Sequence, residues 1–541
     1  MEDTSIMKTI ANMTLEQKIG QMLLIGYPGG AAGLRTLERV VSRRPMGNII
    51  LFSRNAKAPG PLRDELAYVR SMIAGQAGVE PLVSIDQEGG IVTRLGAGFT
   101  PLPGAMALAA AVSGGAATTA DIEAMAAVNG SELKAVGIDW NLAPVADVNV
   151  NGLNPVIGVR SFGEDPEAVA ELTAAYARGL SKAGVASCAK HFPGHGDTSV
   201  DSHLDLPRVE ADADRLERVE LAPFRRLIAE GVSAIMSAHV LFPAVEPEPI
   251  PATLSRKALT GLLRQRLGFR GLIVTDCLEM RAVGGRYDDL AARAILAGAD
   301  VLCVSHTAEL QEEAFDSLLA AVRSGRIPES RVDESAARVL ALKAVLASQA
   351  SARDPLGRPE SLALATRLAD ASISLVSGAL PDLGGGCLYL DHRPALESRV
   401  EDGHEATPSM AASIGAAMAD RAFGAIELPV DPDARAINAA VAAAAASSRP
   451  VVMGSYSLAR HPAQAALAEA LAAACDEAGV PLCFVATREP YDAAALSAIG
   501  GKERAVLCAY EYTELSTRAV ARVLSGSAVP AGTCPVSCRF L

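Results

Sequence analysis

The densest group of chemically active side chains lies at residues 190–203, which read Lys-His-Phe-Pro-Gly-His-Gly-Asp-Thr-Ser-Val-Asp-Ser-His. This stretch holds three of the eight histidines in the 541-residue chain, together with two aspartates and a lysine. Imidazole exchanges protons near neutral pH and carboxylates are its usual partners, so the composition suits acid/base chemistry. Because a solvated loop has no need of such a concentration, we interpret the stretch as part of a functional site.

Asp276 is a second candidate for chemistry. It directly follows the run Leu-Ile-Val-Thr at 272–275, which has the composition of a buried strand. A carboxylate at the end of such a strand is held rigidly at the edge of a sheet. The simpler alternative, that Asp276 caps the helix that follows, stays open on this segment alone.

Short apolar runs between longer stretches of helical periodicity organise the first part of the chain. We predict eight strands there, at residues 19–26, 48–52, 81–85, 136–142, 184–189, 232–237, 271–275 and 299–304. Eight parallel strands, each followed by a helix, predict a (β/α)8 TIM-type barrel over residues 1–345. A doubly wound open sheet is the alternative, because strand counts from a sequence can err by one or two.

Polar residues follow five of these predicted strands. The clusters lie at 86–90, 141–147, 190–203, 237–239 and 275–276. In a barrel, the carboxyl ends of the strands meet on one rim, where active sites are built. The clusters therefore predict a single site on that rim.

The pattern changes after residue 345. Residues 346–372 are predicted to be an inter-domain linker, because Ala, Ser and Arg become frequent and the breakers Asp-Pro-Leu-Gly-Arg-Pro occur at 354–359. Strand-like runs follow at 373–377, 387–390, 425–429, 450–453, 482–486 and 505–509, with Ala-rich segments between them. This alternation predicts a smaller three-layer α/β domain over residues 373–541.

Charge and hydropathy narrow the possible partners. The formal net charge of −13 and the pI of 5.3 argue against binding nucleic acid or an anionic membrane through overall electrostatics. No stretch resembles a membrane span, and no basic segment precedes an apolar one at the N-terminus. We therefore expect neither a membrane span nor a signal peptide, and we expect the chain in the cytoplasm.

The nine cysteines are scattered, mostly through apolar runs, and are predicted to be buried thiols. Cys534 and Cys538 lie four residues apart, but no second Cys or His pair accompanies them, so we predict no zinc site. We expect no metal and no other cofactor.

The stretch 190–203 resembles the signature Lys-His-Phe-Pro-Gly-His-Gly-Asp-Thr-x-x-Asp-Ser-His of glycoside hydrolase family 3, in particular its NagZ-type β-N-acetylglucosaminidase branch. Further blocks match in family order: 13–22 (Met-Thr-Leu-Glu-Gln-Lys-Ile-Gly-Gln-Met), 86–90 (Asp-Gln-Glu-Gly-Gly), 141–148 (Asn-Leu-Ala-Pro-Val-Ala-Asp-Val), 160–166 (Arg-Ser-Phe-Gly-Glu-Asp-Pro) and 275–280 (Thr-Asp-Cys-Leu-Glu-Met). Weaker matches at 488–492 and 509–513 extend the resemblance into the second domain.

The resemblance implies roles for individual side chains. Asp276 would be the nucleophile that forms a covalent glycosyl-enzyme, and His203, paired with Asp201, would be the general acid/base. The residues implied to bind a terminal GlcNAc are Asp86, Arg94, Arg160, Lys190 and His191, with His239 and Met280 bordering the pocket. For His191, a buried histidine without contact to the sugar is the alternative.

Physical chemistry is consistent with these roles. Hydrolysis with retention needs one group that attacks the anomeric carbon and a second that protonates the leaving oxygen and then deprotonates water. Histidine, with an ordinary pKa of about 6.5, suits proton transfer in both directions at neutral pH. An aspartate that accepts its other ring N–H fixes the tautomer and stabilises the imidazolium.

Two positions depart from the family pattern. Ile91 stands where relatives usually carry a second Arg after the Gly-Gly pair, which leaves Arg94 to act alone. Cys277 stands where many relatives carry Asp. Neither change touches the implied nucleophile or acid/base pair, but both could alter the strength of sugar binding.

The leading hypothesis is a retaining exo-β-N-acetylglucosaminidase that removes terminal GlcNAc from cell-wall muropeptides, as in peptidoglycan recycling. A β-N-acetylglucosaminide phosphorylase is the second, because a neutral histidine, unlike an anionic glutamate, does not repel phosphate. A muropeptide-binding protein without catalysis is the third. The sequence leaves open the aglycone, the role of the second domain and the oligomeric state.

Overall fold

The computed structural model of the chain describes residues 2–349, 356–392, 398, 400–401 and 408–537. Within these residues, eight parallel strands form a first sheet in the order β7-β6-β5-β4-β3-β2-β1-β8. The strands are β1 (Leu23–Ile25), β2 (Asn48–Leu51), β3 (Leu82–Ile85), β4 (Trp140–Asn141), β5 (Ala186–Phe192), β6 (Ala234–Ser237), β7 (Leu272–Thr275) and β8 (Leu302–Val304). A parallel bridge between Val274 and Val301 closes the sheet, which confirms the predicted barrel.

Helices surround these strands. They are α1 (Glu2–Asn12), α2 (Leu15–Gln21), α3 (Gly30–Arg43), α4 (Pro59–Ala77), α5 (Ala105–Ser113), α6 (Thr119–Val136), α7 (Pro166–Lys182), α8 (Ala213–Arg218), α9 (Ala222–Ala229), α10 (Leu290–Ala297), α11 (Ala308–Arg323) and α12 (Glu329–Ser348). A π-helix spans Lys257–Arg266, and single 3-10 turns occur at Ser53–Asn55, Gly158–Arg160 and Ala252–Leu254.

Strand residues are buried on both faces, as expected for parallel strands covered by helices. Successive residues alternate between two environments. Leu24, Ile50 and Trp140 belong to a cluster that fills the barrel, whereas Leu23 and Ile25 belong to the larger cluster shared with the helices. This alternation explains why each strand appears in the sequence as a continuous apolar run.

Strand β5 differs from its prediction. The sequence predicts its end at residue 189, yet the strand continues to Phe192 and includes Lys190 and His191. The reason is backbone pairing, because Lys190 and Phe192 pair with Met236 and Ser237 across a register shift. Two polar side chains are thereby fixed on a strand rather than on a loop.

A second sheet follows, with the order β11-β10-β12-β13-β14-β9. Its strands are β9 (Ser374–Ser377), β10 (Leu388–His392), β11 (Gly424–Leu428), β12 (Val451–Ser455), β13 (Leu482–Ala486) and β14 (Val506–Cys508). Strand β9 is antiparallel to β14, and the other pairs are parallel. The helices here are α13 (Pro359–Ser372), α14 (Met410–Ala417), α15 (Ala434–Ala445), α16 (Pro462–Ala478), α17 (Asp492–Ser497) and α18 (Glu514–Leu524), with a 3-10 turn at Ile499–Gly501.

The helices of the second domain lie in two layers. Helices α14 and α18 pack together and share one apolar cluster, while α15 and α16 pack together and share another. With the sheet between them, the domain has the three-layer α/β architecture that the sequence predicts.

The predicted linker at 346–372 contains a packed helix. Helix α12 extends to Ser348, and α13 occupies Pro359–Ser372, where it contacts α5 of the barrel and α18 of the second domain. Its apolar residues Ala365, Leu368 and Ala369 are buried, which outweighs the breaker residues that precede it. Residues 350–355 of the predicted linker lie outside the described residues, and the domain boundaries stay predictions.

Seven of the cysteines are buried and Cys534 is half-buried, and no disulfide joins any two of the cysteines that the structure describes. Cys538 lies outside the described residues. Across the described part of the chain, no helix has both the length and the apolar character required to cross a membrane.

Candidate active site

A cavity of about 320 Å³ opens at the carboxyl ends of the barrel strands. Its apolar base includes Leu142, Met236 and Cys303, of the cluster that fills the barrel. Eight of the ten residues predicted for the site line this cavity: Asp86, Arg94, Arg160, Lys190, His191, His203, Asp276 and Met280. The other two, Asp201 and His239, are buried behind it and hydrogen-bond to lining residues.

Lys190 lies at the centre of a buried group of charges. Its Nζ atom is 2.6 Å from Asp86 Oδ1 and 2.6 Å from Glu88 Oε1. Arg160 binds Glu88 with two hydrogen bonds, from Nε at 2.9 Å and from Nη2 at 2.8 Å. Two cations and two anions thus balance each other beside the cavity, although they come from three separate places in the sequence.

The balance of charge fixes the protonation states in this group. Burial by itself would raise the pKa of Glu88, but the charges of Arg160 and Lys190 outweigh burial and hold that pKa well below its ordinary value. Burial likewise opposes the charge on Lys190, and Asp86 and Glu88 more than compensate, so the pKa of Lys190 is raised. Glu88 and Lys190 are therefore both charged at neutral pH.

His191 is held by a carboxylate that the sequence reasoning did not select. Asp147 Oδ2 lies 2.7 Å from His191 Nδ1, and Asp147 Oδ1 accepts hydrogen bonds from the backbone N–H groups of His191 and His195. Burial opposes the charge of Asp147, but His191 and these bonds lower its pKa. The Nδ1–H of His191 points to Asp147, so Nε2 is the ring atom left for a ligand.

His195 also lines the cavity but uses both ring nitrogens internally. Nδ1 is 2.8 Å from Thr198 Oγ1, and Nε2 is 3.1 Å from Ser202 Oγ. Burial and the neighbouring His191 lower the pKa of His195 to about 4, so the ring is neutral at physiological pH. These contacts hold together the two ends of the segment that leads to His203.

His203 and Asp201 form a hydrogen-bonded pair. Asp201 Oδ1 lies 2.8 Å from His203 Nδ1 and also accepts the backbone N–H of His203 at 2.8 Å. Burial opposes the charge of Asp201, but the hydrogen bonds from His203 prevail and lower its pKa. The imidazole therefore donates Nδ1–H to an ionised carboxylate, and Nε2 is the atom that can exchange a proton.

Asp276 follows β7, and its Oδ1 accepts the backbone N–H of Cys277 at 2.7 Å. Burial would raise the pKa of Asp276, but His239, His191 and His203 lower it overall. The carboxylate is therefore ionised, and it is half-buried in the cavity wall. Such a group suits nucleophilic attack.

His239 supports this carboxylate from behind. Its Nε2 donates to the carbonyl of Cys277 at 2.9 Å, and its Nδ1 lies 2.8 Å from Thr253 Oγ1. Because both ring nitrogens are engaged within the protein, His239 does not border the cavity as the resemblance implies. It instead holds the carbonyl of Cys277, the residue whose N–H binds Asp276.

Sequence reasoning missed several further residues of the site. Glu88 and Asp147 lie inside the polar clusters at strand ends, so their position was the available signal. Arg54, Arg281 and His306 line another part of the cavity, and Val400 reaches it from the second domain. Arg54 and His306 follow the ends of β2 and β8, and Arg281 follows Met280, so their position was again the available signal. Nothing in the local sequence around Val400 indicates a site.

Across the part of the chain that the structure describes, no group of three or more His, Cys, Asp or Glu residues is arranged to hold a metal ion. The cavity itself presents an ionised carboxylate, an imidazole paired with a carboxylate, and a set of charged hydrogen-bonding groups.

Comparison with known proteins places the chain in a family. Residues 14–342 match the family model "Glycosyl hydrolase family 3 N terminal domain". Beta-hexosaminidase A from Pseudoalteromonas piscicida is 34% identical over 413 residues, which cover 68% of this chain and 68% of that protein.

Solved structures extend the similarity over both domains. A glycoside hydrolase family 3 beta-N-acetylglucosaminidase from Paenibacillus sp. str. FPU-7 is 40% identical, with a TM-score of 0.88 over 98% of this chain and 100% of that chain. The beta-glucoside phosphorylase BglX, bound to 2FGlc, is 22% identical with a TM-score of 0.81 over 99% of this chain and 97% of its own, a likeness of fold alone. This chain belongs to glycosyl hydrolase family 3.

Proposed function

We propose that the protein is a retaining exo-β-N-acetylglucosaminidase that removes terminal GlcNAc from cell-wall muropeptides in the cytoplasm. The observation that carries the proposal is that Asp276 and His203 line one cavity, while a buried Asp201 holds His203 from behind. The similarity to beta-hexosaminidases and to a beta-N-acetylglucosaminidase structure supports GlcNAc as the sugar.

In the first step, Asp276 attacks the anomeric carbon. Its Oδ1 is held by the N–H of Cys277, which leaves Oδ2 as the attacking oxygen. His203 donates its Nε2 proton to the glycosidic oxygen, and Asp201 stabilises the imidazolium before this transfer. The products are a covalent glycosyl-enzyme on Asp276 and the released aglycone.

In the second step, the neutral His203 removes a proton from a water molecule at Nε2. This water attacks the anomeric carbon and breaks the bond to Asp276, so the configuration is retained. The same imidazole is thus acid in one step and base in the next, which matches the intermediate basicity of histidine.

The remaining lining residues are suited to hold the sugar. Asp86, Lys190 and Arg160 present charged groups that can hydrogen-bond hydroxyls, and their mutual pairing keeps them in place. His191 offers Nε2, and Met280 offers an apolar surface. Arg94 adds a guanidinium to the same wall.

The decisive test is turnover of p-nitrophenyl β-GlcNAc by Asp276→Ala and His203→Ala, with and without azide. If Asp276 is the nucleophile, azide restores its variant and gives the α-glycosyl azide, because attack comes from the emptied face. If His203 is the acid/base, azide restores its variant and gives the β-glycosyl azide. Undiminished turnover by Asp276→Ala would overturn the nucleophile assignment.

The muropeptide part of the proposal is tested separately, by comparing GlcNAc-anhydroMurNAc with chito-oligosaccharides. We expect the muropeptide fragment to have the higher kcat/KM. An equal or reversed substrate preference would leave the hydrolase assignment intact but would contradict the muropeptide assignment.

A phosphorylase is a second candidate, because the proposed acid/base is a histidine and the cavity also contains Arg54, Arg281 and His306. Cationic groups and a neutral base both favour approach of an anionic acceptor. Product analysis in the presence of phosphate separates the two reactions, since a phosphorylase releases GlcNAc-1-phosphate and a hydrolase releases GlcNAc.

A further inference from the structure

We infer that the second domain completes the sugar site: the backbone carbonyl of Val400 orients Arg94, and the ion pair between Glu401 and Arg488 positions Val400. The inference rests on the proposed function in one respect, namely that Arg94 contacts the sugar. Glu401 and Arg488 act through Val400 and are positioning residues.

The contact between the domains is direct. Arg94 Nη1 donates to the carbonyl oxygen of Val400 at 2.8 Å, and both residues line the cavity. The backbone of Arg94 is fixed from the barrel side, because its N–H donates to Gln87 Oε1 at 2.8 Å. The barrel therefore fixes the backbone of Arg94, and the second domain fixes one contact of its guanidinium.

The side chain of Val400 also contributes to the barrel. It packs against a buried apolar cluster composed of Val145, Val156 and Ile157, and the last two also line the cavity. Val400 thus covers part of the cavity wall while its carbonyl binds Arg94. A shift of this residue would change both the wall and the arginine.

An ion pair next to Val400 holds it in place. Glu401 binds Arg488 through two contacts, at 2.9 Å from Nη1 to Oε2 and at 2.6 Å from Nη2 to Oε1, and the two residues are only 8% and 3% exposed. Arg488 is fixed in turn by the hydroxyl of Tyr456 at 2.9 Å. Nε of Arg488 also lies 3.2 Å from Glu489 Oε1, so removing the Glu401 carboxylate leaves the arginine charge partly balanced. It takes away the two-point contact that holds Glu401 and the adjacent Val400.

The second domain is itself docked on the same rim. Glu511 Oε2 accepts the backbone N–H of Gly104 at 2.6 Å, and the Asn149 amide donates to the hydroxyl of Tyr491 at 2.7 Å. These contacts fix the platform from which Val400 reaches the cavity.

The test is Glu401→Gln in the full-length protein, assayed with p-nitrophenyl β-GlcNAc and with GlcNAc as a competitive inhibitor. We expect KM and the inhibition constant of GlcNAc to rise together, by about tenfold, with kcat within about twofold of wild type. The double variant with Arg94→Lys should show less than the sum of the two single effects.

Asp476→Asn is the matched control. Asp476 accepts from Arg504 at 2.8 Å in the same domain, and Arg504 precedes β14, at the end of the sheet away from the barrel rim. Both variants remove one carboxylate from a buried arginine of the second domain, so a general loosening of that domain would appear in both. We expect Asp476→Asn to leave KM and the inhibition constant unchanged.

If Glu401→Gln does not fold, Arg488→Lys serves instead, because it keeps the charge but loses the two-point contact. We expect a rise of about threefold in KM. Unchanged KM and inhibition constant in the folded variant would overturn the inference, even with the azide results as proposed. Absence of any GlcNAc binding or turnover by the wild type would instead overturn the proposed function.

Discussion

The barrel buries a cluster of charges at each end, and the two clusters differ in what surrounds them. At the carboxyl end, Lys190 lies between Asp86 and Glu88 beside an open cavity. At the amino end, Asp300 receives three arginines: Arg264 at 2.6 Å, Arg338 at 2.8 Å and Arg331 at 3.4 Å. Both clusters combine a buried carboxylate with cations, and the first borders the cavity described above.

The cluster at the amino end is saturated by the protein itself. Asp300 also accepts hydrogen bonds from Ser335 Oγ at 2.9 Å and from the N–H of Ile273 at 3.1 Å. It thus links the strands to α12 and to the π-helix at Lys257–Arg266. A buried charge therefore identifies a site only together with its position at the carboxyl rim, where barrel enzymes bind substrate.

The largest expected effect is at the nucleophile. Asp276→Asn should lower kcat by about 10⁴-fold, because the neutral amide cannot form the glycosyl-enzyme. Thermal unfolding should shift little, since the substitution keeps the size of the side chain and removes a buried charge. Loss of activity together with a large loss of stability would contradict the separation of roles between the two ends.

The next largest effect is expected at the amino end of the barrel. Asp300→Asn should lower the free energy of unfolding by about 3 kcal/mol, because three arginines lose the charge that holds them. At temperatures where the variant is folded, kcat/KM should stay within about twofold of wild type. Denaturant unfolding measures the change in stability, and steady-state kinetics measures kcat/KM. A loss of kcat/KM without a loss of stability would contradict the distinction between the two ends of the barrel.

Glu88→Gln should show a smaller and mixed effect. The carboxylate binds Arg160 and Lys190, so its loss should raise KM for p-nitrophenyl β-GlcNAc by about fivefold and lower stability modestly. Because the folded pKa of Glu88 is depressed, its contribution to stability is present above its ordinary pKa of 4.5 and is lost as pH falls. Acid unfolding of the variant should therefore depend less steeply on pH than that of the wild type.

The smallest effect concerns Glu511, a buried carboxyl group between the domains. Its pKa is shifted in the direction opposite to that of Glu88. Burial raises its pKa from 4.5 to about 7, so the folded state holds the proton more tightly than the unfolded state. Its contribution to stability is present below pH 4.5 and is lost as pH rises to about 7. Glu511→Gln should remove this dependence. We expect the difference between the melting temperatures at pH 4.5 and pH 7 to be about 2 °C smaller in the variant than in the wild type.

Much of the fold and of the site was predictable from local pattern. Apolar runs marked every strand of both sheets. For the barrel strands and the central strands of the second sheet, the reason is that parallel strands bury both faces and leave a continuous signal. The extension of β5 and the helix α13 were not predicted, since the first depends on pairing with β6 and the second on burial between two domains. Among the residues predicted for the site, His239 lies behind the cavity rather than at its border. Its Nε2 binds the Cys277 carbonyl, a contact between distant segments that no local pattern indicates.

The sequence by itself determined which side chains are available for chemistry and in what order the strands present them, because side-chain type and apolar periodicity are local properties. The tertiary structure decided which charges meet. Glu88 joins Lys190 and Arg160, and Asp147 joins His191, only after the barrel closes. The contact between Val400 and Arg94 joins residues more than three hundred positions apart, and docking of the second domain, which no local pattern encodes, brings them together.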